Sequence, residues 1–115
     1  MTTDPAAAEV VDATEENRFV IRGDDGLEAE LVYLAREGLL VLIHTGVPEE
    51  WGGRGIGGRL VRAALERARA EGLTIVPWCP FARRWLRDHD GETAGVTIDW
   101  DTPPPGGSGR AASPA

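Results

Sequence analysis

The sequence contains no lysine and only one cysteine. Without lysine it cannot carry a Walker phosphate loop, whose glycine run must end in GK[ST]. With Cys79 alone it cannot form an internal disulfide, so a reducing, cytoplasmic setting is expected. Long apolar runs are also missing. The longest purely aliphatic stretch, Leu39 to Ile43, is far short of a membrane span. Met1 to Asn17 has neither a basic start nor an apolar stretch, which argues against a secretory signal. A length of 115 residues suits one ordinary domain, and 42% hydrophobic content suffices for a small core and excludes wholesale disorder.

Positive charge is scarce and all of it is arginine or the two histidines. The formal net charge of -7 argues against a general nucleic-acid partner. The charge is unevenly spread. Residues 1–50 sum to -9, residues 51–90 to +4 and residues 91–115 to -2. Cationic charge gathered into one segment of an acidic chain suits an anionic ligand, although arginines on a solvated helix face give the same arithmetic.

Both ends are poor in core-forming residues. Residues 1–16 are acidic and alanine-rich, and residues 101–115 are rich in proline and glycine. Each composition predicts a loose tail around a folded domain at residues 17–100. Within it, Arg18 to Arg22 predicts a strand and Gly23 to Gly26 a turn. Leu27 to Arg36 alternates apolar and polar residues, the period of a strand with one buried face. Glu37-Gly38 turns the chain, and Leu39 to Thr45 is apolar on both faces, as in a central strand. The period then becomes helical from Ile56, with Leu60, Ala64 and Ala68 on one stripe and Gly72 placed to end the helix. Leu73 to Trp78 predicts another strand, with Pro77 irregular near its end. Pro80 opens a helix over Phe81 to His89, with Phe81, Trp85 and Leu86 inward. Gly95 to Trp100 predicts a last short strand.

Between the third strand and the first helix lies Gly52-Gly53-Arg54-Gly55-Ile56-Gly57-Gly58. Glycines there let backbone amides approach an oxygen-rich ligand, and the following helix adds unsatisfied N–H groups and the positive end of its dipole. Arg54 and Arg59 can add full charges, a construction that suits a pyrophosphate. Gly53-x-Gly55-x-x-Gly58 matches the dinucleotide pattern, but that reading fails on context. The strands before the loop form a meander, and Trp78-Cys79 stands where a Rossmann unit wants an acidic residue.

His44 to Phe81, reading HTGVPEEWGGRGIGGRLVRAALERARAEGLTIVPWCPF, resembles the small single-domain, YjdJ-like branch of the GNAT N-acetyltransferases. The resemblance extends more loosely from Asn17 to His89. It implies an α/β (mixed α+β) GNAT-like fold in which an antiparallel meander is followed by α-β-α on a splayed mixed sheet. It also implies an acyltransferase using acetyl-CoA, with an amine acceptor such as a protein lysine or N-terminus. The family's pyrophosphate loop falls on Gly52, Gly55 and Gly57, with Gly53, Arg54, Ile56, Gly58 and Arg59 around them. Gly52 replaces the usual polar first residue. The sheet of this family opens after the glycine-loop strand, so the lips of the cleft are His44 to Val47 and Pro77 to Pro80.

His44 and Cys79 would then face each other across the acetyl group. His44 could take the amine proton, because imidazole titrates near neutrality. Cys79 could protonate the departing CoA thiolate or, as the residue before a helix, form an acetyl-cysteine intermediate. Direct transfer is the usual route in the family. Each residue has a plainer alternative, since a lone histidine is commonly a packed strand residue and a lone cysteine a small hydrophobe. Trp85 occupies the position where many GNAT enzymes carry a tyrosine acid. That departure keeps a non-catalytic CoA-binding module open as the competing reading. Trp51 and Trp78 flank the cleft and are read as packing or loop-covering residues, with contact of one of them to the adenine or pantetheine as the alternative, and His89 is read as a helix cap or surface residue. No metal, nucleic-acid or membrane partner is expected, and the chain is read as a monomer or weak homodimer.

Overall fold

The computed structural model describes residues 8–103. Five strands, β1 (Val11–Ala13), β2 (Arg18–Arg22), β3 (Glu28–Arg36), β4 (Leu39–Gly46) and β5 (Thr74–Pro77), form one sheet in the order β1-β2-β3-β4-β5. The first four pair antiparallel and β5 joins β4 in parallel. Two helices, α1 (Ile56–Glu71) and α2 (Pro80–Asp88), follow β4 and β5 respectively. The mixed sheet with an antiparallel meander and α-β-α succession is the one the sequence implied.

Local chemistry explains most of the element boundaries. The β3–β4 hairpin turns on Glu37 and Gly38 at φ 42° and 82°, the pairing of positive values that matches strand twist in a two-residue turn. The stripe Ile56, Leu60, Ala64, Ala68 is buried, and Gly72 ends α1 in the left-handed region. Phe19, Ile21, Leu31, Tyr33, Leu40, Leu42 and Ile75 share one sheet face and one hydrophobic cluster with α1 and α2.

On the other face Val20, Val41 and Val76 are also buried. Part of the cover is ionic. Arg18, on the same face as Val20, donates to Glu28 at 3.0 Å and Glu30 at 3.1 Å, and Arg22 donates to Glu28 at 2.8 Å. Arg18 and Arg22 flank Val20 on that face, and long arginine side chains can cover apolar surface with their stems while their charged heads stay wet.

Three expectations need correction. Part of the segment read as a loose tail is ordered: Val11–Ala13 pairs with β2, Asp12 accepts from the Tyr33 hydroxyl at 2.5 Å, and Arg67 donates to both at 3.1 and 2.9 Å. Three residues are too few to show a period, so tertiary bonds decide their conformation. Residues 1–7 and 104–115, the remainder of the predicted tails, lie outside the described residues. Gly95 to Trp100 makes no full strand. Ile98 bridges Ile75, whose amide donates to Thr97 and whose carbonyl accepts from Asp99. Phe81 is not inward but 43% exposed. Among the described residues no helix is long and apolar enough to cross a membrane.

Candidate active site

The β4–β5 register stops at Leu42↔Pro77. Pro77 has no amide hydrogen to continue a ladder, and the next two amides, Trp78 and Cys79, both donate to the Leu42 carbonyl, at 3.0 and 2.9 Å. β5 thus turns away into α2 while β4 runs on to Gly46 paired with β3 alone. A gap opens between the two strands, as the resemblance implied.

Beside the gap, the loop after β4 reaches α1 through Gly53 and Gly55, at φ 78° and 71°. Neither would meet an atom within 4 Å if it gained a Cβ, so they are glycines for backbone conformation. Gly55 is the N-cap of α1, no side chain caps that end, and no acidic residue stands in the first turn. Its first-turn amides and dipole are therefore available to an anion. Trp51 fixes the loop's entry. The residue is 2% exposed, and its indole N–H donates to Asp25 at 3.1 Å. Asp25 also accepts from Leu27 N–H at 3.0 Å. The Leu27 amide, then the Trp51 indole and the Arg54 charge, hold the Asp25 carboxyl below its ordinary range.

A groove of about 470 Å³ lies between this loop and α2. Its walls include every glycine-loop residue from Gly52 to Gly58, and Val47. The opposing wall is a stripe along α2 and its C-cap at i, i+4, i+8: Phe81, Trp85 and the capping His89. Gly57 and Gly58 permit this approach. A Cβ at Gly57 would stand 2.6 Å from Phe81 Cζ, and one at Gly58 2.5 Å from Trp85 Nε1. Trp85 stacks on His89 with ring centroids 4.1 Å apart and 14° between planes, and the Arg62 guanidinium lies 5.3 Å from the Trp85 ring centroid. His89 Nδ1 is 2.8 Å from the Trp85 carbonyl oxygen; since a carbonyl only accepts, Nδ1 carries the hydrogen and Nε2 is the other ring position. Arg62 donates to Glu92 at 2.6 and 2.8 Å, and these bonds hold the Glu92 carboxyl below its usual range. A larger cavity of about 580 Å³ on the Leu86 and Trp100 side of α2 contains no residue of the glycine loop.

Of the residues expected at the cofactor, Val47, Gly52, Gly53, Arg54, Gly55, Ile56, Gly57 and Gly58 are brought together at this groove. Arg59 is not among its walls; its guanidinium donates to the Ala8 carbonyl. Arg62, one turn further along α1, lines the groove instead. His89, read as a helix cap, lines it too, as do Phe81 and Trp85. Their four-residue spacing was visible in the sequence, but which face of α2 it marked was not.

His44 and Cys79 do not face each other. The β3–β4 register slips between Val32 and Tyr33, so Ile43 is an extra residue on β4. Beyond this bulge His44 pairs with Val32 on the outer sheet face, while Thr45 pairs with Leu31 on the helix face. His44 is exposed, and its Nε2 would lie 3.3 Å from a Cβ at Gly46 on that same face. Cys79 is 4% exposed, with Sγ 3.2 Å from Thr45 Oγ1. The two candidates thus flank the gap from opposite sides of β4. Among the described residues no three His, Cys, Asp or Glu side chains converge as a metal site would require.

A mixed sheet that parts beside a glycine loop leading into α1 is the arrangement that the sequence resemblance implied. The sequence profile of the GCN5-related N-acetyltransferases matches residues 18–96. The fold is similar to the solution structure of a GCN5-like protein from Staphylococcus aureus. That similarity has 30% identity and a TM-score of 0.62, and covers 82% of this chain and 92% of the other. No curated protein matches the sequence. The chain belongs to the GCN5-related N-acetyltransferase family, and the narrower YjdJ-like branch rests on the sequence resemblance alone.

Proposed function

We propose that the chain binds acetyl-CoA in the groove and transfers its acetyl group directly to an amine. The observation that carries this reading is the uncapped N-terminus of α1 behind a positive-φ glycine loop, opening on the β4–β5 gap. In the reaction the amine nitrogen attacks the thioester carbonyl carbon, the carbon–sulfur bond breaks, and sulfur leaves as thiolate. His44 takes the amine proton, directly or through water. Cys79, linked to Thr45, returns a proton to the CoA sulfur. The 4% exposure of Cys79 and its contact with Thr45 favour this role over an acetyl-cysteine intermediate. The acceptor in this reading is a protein lysine or N-terminus in a cytoplasmic setting.

A second reading, binding of CoA without turnover, is favoured by the separation of His44 from Cys79 across β4 and by the indole of Trp85. Two measurements decide. Acetyl-CoA at 100 times its Kd should add about 2.7 kcal/mol of stability, and CoA thiol should be released with a panel of amines. Stabilisation without thiol release selects the binding module. Release that persists unchanged in both His44→Ala and Cys79→Ala removes the proton-transfer roles.

A further inference from the structure

The last residues of β4, His44, Thr45 and Gly46, pair with β3 but lie past the last residue paired with β5. On the outer sheet face His44 and Gly46 follow one another, with Val32 and Glu30 as their partners on β3. Gly46 leaves a hollow in that face. Apart from its chain neighbours, a Cβ built there would meet two atoms within 4 Å, His44 Nε2 at 3.3 Å and Glu30 Cγ at 3.9 Å. Gly46 is not one of the glycines in the left-handed region, so backbone conformation does not demand a glycine here. Both neighbours have polar capacity to spare. His44 is exposed and makes no hydrogen bond or ion pair among the described residues. One Glu30 carboxylate oxygen accepts from Arg18 at 3.1 Å, and the other has no hydrogen bond among the described residues.

We propose that the hollow over Gly46 is the ammonium subsite of the acceptor, selecting primary amines carried on an unbranched methylene chain, with Glu30 as the residue that sets this specificity. This assignment rests on the acetyl-CoA reading. A nitrogen at the Cβ position would need to move only about 0.3 Å to reach hydrogen-bonding distance of the imidazole. The incoming ammonium donates to Glu30 and gives one proton to His44 Nε2, and its freed lone pair attacks the thioester at the β4–β5 gap. Strands lie about 4.8 Å apart and successive side chains on one face about 7 Å apart. A methylene chain is about 4 Å across at contact distance and fits between them. The α-amine of a protein N-terminus brings a branched carbon, whose side chain and carbonyl would press on His44 or Glu30.

CoA-thiol release would be followed on the full chain with four acceptors: cadaverine, a lysine peptide with a blocked N-terminus, a lysine-free peptide with a free N-terminus, and an alkoxyamine that is uncharged near neutral pH. Cadaverine or the lysine peptide should be used at least about tenfold better, in kcat/KM, than the free N-terminus. Preference between those two identifies the source of the amine, a small molecule or a protein, and either supports the hollow. Gly46 is not among the groove walls, so Gly46→Ala should hold CoA affinity within about twofold by calorimetry while losing at least about tenfold in kcat/KM. Glu30→Gln should raise KM about fivefold for the charged acceptors and leave the alkoxyamine unchanged. A free N-terminus used as well as lysine, or full turnover in Gly46→Ala, would overturn the hollow and leave the acetyl-CoA reading intact. Equal KM effects of Glu30→Gln on charged and uncharged acceptors would overturn the role of Glu30. CoA binding without release to any amine would overturn the subsite and select the non-catalytic module. Absence of CoA binding would end the cofactor reading and this inference with it.

Discussion

A methyl group added at Gly58 would press on Trp85 Nε1, and that ring cannot retreat freely because His89 stacks on it and Arg62 flanks it. Helix propensity argues the other way, since alanine improves on glycine by about 1 kcal/mol inside a helix. Overpacking costs about 1 to 3 kcal/mol, so the clash wins. Gly58→Ala should lower Tm by about 5 °C in a thermal melt, corresponding to roughly 1 kcal/mol. A glycine that only supplied chain flexibility would instead give a stabilised variant.

Tyr33 carries a separate, pH-dependent consequence. Burial, then its bond to Asp12, pushes the phenol up to about 12 from 10.0. Below pH 10 the hydroxyl is protonated in both folded and unfolded chains. Between pH 10 and 12 only the unfolded chain loses the proton, so folding is penalised as pH rises. The loss should reach about 2 to 3 kcal/mol. Urea unfolding at pH 9 and 12 measures it, and Tyr33→Phe should remove that pH-dependent part while lowering stability at pH 9.

At the scale of elements, residues with a clear period were legible and residues whose role depends on a partner were not. Leu27 to Arg36 and Ile56 to Ala68 show their buried faces directly as alternation and as a four-residue stripe. β1 shows nothing of the kind. It exists because Asp12 finds Tyr33 and Arg67, and because Val11–Ala13 can pair with β2. Deleting residues 1–16 should therefore destabilise the domain by about 2 kcal/mol or more, read by urea unfolding, because it leaves polar partners unmatched beside the core. A disposable tail would leave the midpoint unchanged. The site was half legible for a related reason. The glycine loop declares itself locally, whereas one extra residue at Ile43 reverses which side of the sheet His44 and Thr45 occupy. Alternation counted along the sequence cannot register that slip. The same holds for Arg59 and Arg62. Both lie on the exposed side of an amphipathic pattern, and only the packing of α2 against Gly57 and Gly58 decides which arginine meets the groove.

For the molecule as a whole, charge segregation survives folding in a usable form. Acidic residues crowd the β1–β3 region, where Arg18 and Arg22 tie several of them together. Arg54 and Arg62 stand at the groove, in the segment whose charge is +4. Attraction of an anionic ligand to such a patch acts over a Debye length of about 10 Å at 0.1 M salt and about 3 Å at 1 M. CoA affinity measured by calorimetry should therefore fall steadily between these salt concentrations. An affinity indifferent to salt would mean that the arginines contribute little beyond their stems.

The parting of β4 from β5 also leaves a short piece of strand with backbone groups to satisfy. Ile43 to Gly46 is a stretch of backbone with a neighbouring strand on one flank only, set inside the sheet rather than at its rim. Exposed edges of this sort invite pairing by other chains. Here the invitation is brief, its far side is closed by a proline and two amides already committed to one carbonyl, and a bulge bends it out of line. A slender, amide-bearing arm such as the proposed cofactor carries would find hydrogen-bond partners on that short stretch, where a second polypeptide strand would find few.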